Sequence, residues 1–279
     1  MNALLPAAQS SRELGRTLVA QAMLRIQQGK FDAAFEDSLA CHRLGRLVGQ
    51  GPTLVEALVG ITLDQMGDNV DEAIVGAGRI SAAQARMFAD ELRKLPSMPD
   101  IAEKVNWSDR LMLLDTIVGV MQDHEFIRDS GVKNRTLSDE INQRMVHNEI
   151  DLNQALRNAN MWHDRMVGIA REPPGLRRRQ DLDAFNRDIR ALNERLAAAE
   201  KSHELASMSS AELSHYYADK LVVTIFPAAD GALIAKDRAV QRLDLVRIAY
   251  ALAGYRADRQ SYPAKLNELV PSYIGEIPK

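Results

Sequence analysis

The sequence predicts an all-α protein: antiparallel helical hairpins, repeat-like at the front, with a short Pro-bounded extended tail at the C-terminus. Three observations carry that prediction. Apolar residues recur at i, i+3, i+4 and i+7 along almost the whole chain. Aromatic residues make up only 5% against 46% hydrophobic overall, a mixture that suits helices packed through small and aliphatic side chains and suits strands poorly. Gly and Pro fall at helix-length intervals, where they stop one helix and start the next.

Taken in order, a first helix is expected from about Ser11 to Gln28, with Leu14, Leu18, Ala22 and Ile26 on one face. Gly29-Lys30 breaks it, and a second helix follows from about Asp32 to Val48. A third starts after Gly51-Pro52, since Pro suits a first helical turn, and Gly67-Asp68-Asn69 reads as its end. Gly76-Ala77-Gly78 closes a short fourth helix, and Ser81 with Gln84 forms a capping box for a fifth reaching about Lys94. Pro96 to Ser108 holds two prolines and little periodicity, so it reads as a connecting loop.

An apolar helix then runs through Leu111, Leu114, Ile117, Val118 and Met121, and residues Asp129 to His147 are more polar. An amphipathic helix returns from Asp151, with Leu152, Leu156, Ala159, Trp162, Met166 and Ala170 in line, until Pro173-Pro174-Gly175 stops it. Beyond lies a charged helix from about Leu176 to Glu200. Ser209 with Glu212 opens another helix to Phe226, Pro227 interrupts, and a long helix fills about Ala229 to Arg256. The expected domains are 1–95 (front hairpins), 96–172 (central helices) and 176–279 (C-terminal helices with the tail).

Bulk properties exclude several functions. A net charge of −3 and a pI near 6.1 argue against a nucleic-acid partner, which needs a strong positive field. The one cysteine, Cys41, rules out an internal disulfide and any multi-cysteine zinc site, and its place in a helix makes it a buried small residue. No charge-free apolar run is long enough to span a bilayer, and the first residues lack the pattern of a signal peptide.

Candidate chemistry is sparse. Gly76-Ala77-Gly78 lacks the third glycine and the preceding strand of a dinucleotide fingerprint. Two Glu-x-x-His pairs, Glu200/His203 and Glu212/His215, place a carboxylate and an imidazole on one helical face, as paired motifs do in di-iron bundles. Glu200, His203, Glu212 and His215 are therefore the candidate metal ligands; the alternative is that they are solvated helix-terminal residues. His124-Glu125, His147 and Trp162-His163-Asp164 stand without partners in sequence, and Arg177-Arg178-Arg179 reads as a solvated face neutralised by Asp181, Asp183 and Asp188. No catalytic residue and no cofactor are expected.

Gly29-Lys30-Phe31-Asp32-Ala33-Ala34, with Cys41 seven residues on, resembles the tetratricopeptide pattern of a turn glycine, an aromatic residue and alanines on the second helix. Gly67-Asp68-Asn69-Val70-Asp71-Glu72-Ala73 is a looser copy with one extra residue. That resemblance implies a peptide or protein partner bound through residues 1–95.

The end of the chain is similar to the bacterial pseudopilins of type II secretion systems. The resemblance runs from Ile225-Phe226-Pro227 through Tyr250, Tyr255 and Tyr262-Pro263 to Leu266-Asn267-Glu268-Leu269-Val270-Pro271 and Ile277-Pro278. It implies a local helix, turn and short helix. The processing site and apolar stalk of pseudopilins are missing, so assembly is not carried over. Front and tail together resemble a family of helical bacterial proteins with longer chains, which implies a fragment whose parent is held in the cell envelope; a chain that is whole would be cytoplasmic. The expected function is a non-enzymatic scaffold or interaction protein. The alternatives are a metal-dependent enzyme using the Glu-x-x-His pairs and a secretion-related component.

Overall fold

The computed structural model describes residues 4–122, 151–202 and 207–278, and every regular element among them is helical, with no strand. The chain divides into two units, one comprising residues 1–99 and 234–279 and the other residues 100–233.

The first unit holds α1 (Leu4–Gln27), α2 (Phe31–Val48), α3 (Leu54–Gly76) and α4 (Ala82–Arg93). To these it adds the later part of the 50-residue α9 (Ser210–Arg259) and a 3-10 turn at Leu266–Leu269. Gly29 sits at φ +73°, a conformation open to glycine, so that Lys30 N–H can bond back to Arg25 O and reverse the chain into α2. Capping boxes open α3 (Thr53 with Glu56) and α4 (Ser81 with Gln84), each satisfying donors that would otherwise be orphaned.

Small residues decide how closely the helices approach. The buried line of α1 is Ala8, Gly15 and Ala22, while Leu14, expected inward, is half exposed. Between α2 and α3, a Cβ on Gly60 would lie 2.5 Å from Gly45 O and 2.7 Å from the Gly49 backbone. Phe35 and Phe88 stack at 4.0 Å, and Tyr250 of α9 meets both edge-on, closing the core. The C-terminal tail folds back onto α9, burying Leu269, Tyr273 and Ile274 against Ala251.

The second unit holds α5 (Ile101–Lys104), a π-helical turn (Val105–Asp109), α6 (Arg110–Gln122), α7 (Leu152–Arg171), α8 (Leu176–Ser202) and the first part of α9. Phe185 is its centre, edge-on to Trp162 and Phe226 at 5.7 and 5.3 Å. His163 is fully buried 4.8 Å from the Phe226 ring, with no hydrogen-bond partner at either nitrogen. Burial, with Arg110 adding to it, holds its pKa down to about 4, so the ring is neutral.

Several sequence expectations are corrected. Gly67-Asp68-Asn69 does not end a helix: α3 runs through it to Gly76, so the second tetratricopeptide-like copy has no turn. Pro96 to Ser108 is not all loop, because Asp100 accepts from the N–H groups of Ala102 and Glu103 and starts a helix at Ile101. Pro227 does not interrupt: the backbone stays helical from Ser210 to Arg259, forgoing the hydrogen bond that proline cannot donate. Arg178 is buried rather than solvated and donates to Glu172 O at 3.2 Å. Asp129 to His147 lies outside the described residues. No described helix is long and apolar enough to cross a membrane.

Candidate functional site

The densest polar chemistry among the described residues lies inside the first unit, where α2 and α3 face each other. Asp64, Asp68 and Asp71 stand at i, i+4 and i+7 on α3, which places them on one face. Ser38, His42 and Arg46 stand at four-residue intervals on α2 and form the opposing row. Turned inward by the apolar residues around them, the two rows meet with His42, Asp64, Asp68 and Asp71 at 0% exposure and Arg46 at 4%.

The contacts form a chain. His42 Nδ1 lies 2.8 Å from Asp64 Oδ1, and His42 Nε2 lies 3.0 Å from Asp71 Oδ2. Arg46 donates to Asp64 Oδ1 at 3.0 Å, and Tyr250 from α9 donates its hydroxyl to Asp71 Oδ1 at 2.8 Å. Ser38 donates to the Gly67 carbonyl at 3.0 Å. Gly67 itself leaves room for the imidazole: a Cβ there would lie 2.6 Å from His42 Cδ2 and Nε2.

Two carboxylates flank the two ring nitrogens, so both nitrogens donate and the ring is an imidazolium. Burial opposes that charge, yet the hydrogen bonds of Asp64 and Asp71 outweigh it and raise the His42 pKa to about 10. Asp68 is different. Neither of its oxygens has a hydrogen-bond partner, and the Arg242 Nε at 3.9 Å from Oδ2 is beyond hydrogen-bond reach. Burial pushes its pKa up to about 7; His42 draws it down, while Asp64 and Asp71 push it further up. Among the fully buried groups three carboxylates face two cations, and the nearest further cation to Asp68 is the half-exposed Arg242, so its carboxylate is costly to keep ionised in a low-dielectric interior.

His42, Asp68 and Asp71 each offer a ligand atom within 4.8 Å of the other two, and they are the metal-capable cluster among the described residues. Sequence reasoning missed them. The signal is three aspartates on the inward face of an otherwise apolar helix, masked by the turn-like composition of Gly67-Asp68-Asn69.

The sequence-predicted ligands sit elsewhere, in the second unit. Glu200 accepts from Tyr216 Oη at 2.8 Å and Lys220 Nζ at 2.5 Å. Glu212 caps its own helix, accepting from Ser209 N–H at 2.8 Å and Ser209 Oγ at 2.7 Å. His215 Nε2 lies 2.8 Å from Gln154 Nε2, so it accepts from the amide. Glu212 and His215 share the wall of a shallow cavity with Asp219 and Tyr216, and His203 lies outside the described residues, as do His124, Glu125 and His147. Cys41 is buried 3.8 Å from Gly15 O, and burial, then Asp37 and Asp71, push its thiol up to about 12.

A second feature of the first unit is an open cleft of about 290 Å³. Val75, Ile80, Leu252 and Ala253 supply apolar walls, and Arg256 and Tyr262 supply polar ones. Arg256 donates to Tyr262 Oη at 3.1 Å and lies over the ring. No family model, curated protein or solved structure matches the chain.

Proposed function

We propose that the chain is a non-enzymatic helical interaction protein whose partner-binding face lies on the first unit. The observation that supports it is the cleft beside the α3–α4 connection. Its apolar walls can accept an aliphatic side chain, and the Arg256 guanidinium can pair with a carboxylate brought by a ligand, so a short peptide with an aliphatic residue next to an acidic one fits its chemistry. Val75, Gly78 and Ile80 of that lining fall within residues 1–95. A peptide array probed with the full chain is expected to show saturable binding to such sequences. Ala253→Arg, which fills the cleft, is expected to lower affinity about 10-fold or more, in line with loss of one buried apolar contact. No saturable peptide, or equal binding by the variant, contradicts the proposal.

A further inference from the structure

We infer that His42, Asp68 and Asp71 form a binding site for one divalent first-row transition-metal ion, with Asp64 and Tyr250 as the groups that orient its ligands. Four observations converge on it.

The first is the donor set. One imidazole nitrogen and two carboxylates are the ligands of Mn²⁺, Fe²⁺, Co²⁺ and Zn²⁺ sites, whereas Mg²⁺ and Ca²⁺ prefer oxygen alone. The second is spacing. Two ligand atoms held about 2.1 Å from one ion at octahedral or tetrahedral angles stand about 3.0–3.4 Å apart. His42 Nε2 and Asp71 Oδ2, 3.0 Å apart, meet that spacing, and the Asp68 ligand atom, within 4.8 Å of both, is close enough for a side-chain adjustment to complete the set. The third is Asp68, whose carboxylate is fully buried in the cluster with neither oxygen hydrogen-bonded. An ion gives that carboxylate a direct bond, which the Arg242 guanidinium at 3.9 Å does not supply.

The fourth is the supporting shell. Metal-bound histidines usually donate their other N–H to a carboxylate, which fixes the ring and raises its basicity. Asp64 accepts from His42 Nδ1 in this way, and Arg46 in turn holds Asp64. Tyr250 orients Asp71 through the oxygen that does not face His42. Gly67 leaves the Nε2 side of the ring clear of a Cβ.

With Asp68 already ionised, binding exchanges one proton for the ion: the cation takes the Nε2 lone pair, and the proton now shared between His42 and Asp71 leaves to solvent. All three ligands are fully buried, so the ion has a structural role, joining α2 to α3, with the second oxygen of Asp68, which makes no hydrogen bond, free to fill a fourth position.

The test uses the full chain stripped with chelator and given Mn²⁺, Co²⁺ or Zn²⁺ singly, with Mg²⁺ and Ca²⁺ as comparisons. The expected result at pH 8 is about one transition ion per chain, a raised Tm and release of about one proton per ion. Asp68→Asn is expected to abolish uptake while keeping the helical content of the apoprotein, since it removes a buried carboxylate that makes no hydrogen bond. Asp64→Asn is expected to weaken affinity about 10- to 100-fold. Glu212→Ala/His215→Ala is expected to bind as the unaltered chain does. The inference is overturned if the unaltered chain takes up none of the three ions, if Asp68→Asn takes up as much, or if Mg²⁺ and Ca²⁺ raise Tm equally.

Discussion

Gly67→Ala is expected to destabilise the first unit by roughly 2–4 kcal/mol, although Gly→Ala inside a helix ordinarily stabilises by about 1 kcal/mol. The reversal of sign is the point. The new methyl would stand 2.6 Å from two atoms of the His42 ring. That ring cannot swing aside, because Asp64 holds one nitrogen and Asp71 the other. Either the α2–α3 spacing opens or the imidazolium leaves its carboxylates, and each route exposes or orphans buried charge. Gly76→Ala in the same helix is the control: nothing lies within 4 Å of its Cβ, so near-neutral or slightly favourable behaviour is expected. Denaturant unfolding followed by helical circular dichroism, on chelator-treated protein, checks both.

His42→Leu is expected to cost about 3–5 kcal/mol in the same measurement, the range found when one partner of a buried ion pair is removed. Leucine roughly fills the volume, so the loss is electrostatic. Asp64, Asp68 and Asp71 then face one another with Arg46 as the buried cation that remains. Adding Asp64→Asn and Asp71→Asn to His42→Leu is expected to recover part of the loss, because neutral amides are cheaper to bury than unpaired carboxylates. A triple variant less stable than His42→Leu would mean that packing, and not charge, sets the cost.

Much of the fold was legible because its signals are local. Ser81/Gln84 and Ser209/Glu212 announce helix starts through side chains that bond their own backbone, and both boxes form. Gly29 announces a turn because its left-handed backbone suits glycine. Gly67 shows where local reading stops. A glycine followed by Asp-Asn has the composition of a turn, yet here it is a helix-interior position whose missing side chain is demanded by His42, 25 residues earlier in the chain. The site was illegible for the same reason. Nothing near Asp68 in sequence says that α2 will set an imidazole against it, or that Tyr250 will reach Asp71 across 179 residues. The Glu-x-x-His pairs were visible because their spacing is local, yet Glu200, Glu212 and His215 each hydrogen-bond to protein groups.

The protonation of His42 tests the account most directly, since buried geometry, charge balance and metal competence all pass through that ring. Long-range ¹H–¹⁵N NMR of the histidine side chains, on chelator-treated full chain at pH 8, reads it, with the His42 signal assigned by its loss in His42→Gln. The account predicts an imidazolium with both nitrogens protonated, well above the usual histidine range, because Asp64 and Asp71 flank it. Adding Zn²⁺ should remove the Nε2 proton and leave the Nδ1 proton on its bond to Asp64. A neutral ring at pH 8 in the stripped protein, titrating near 6.5 as an exposed histidine does, would contradict it.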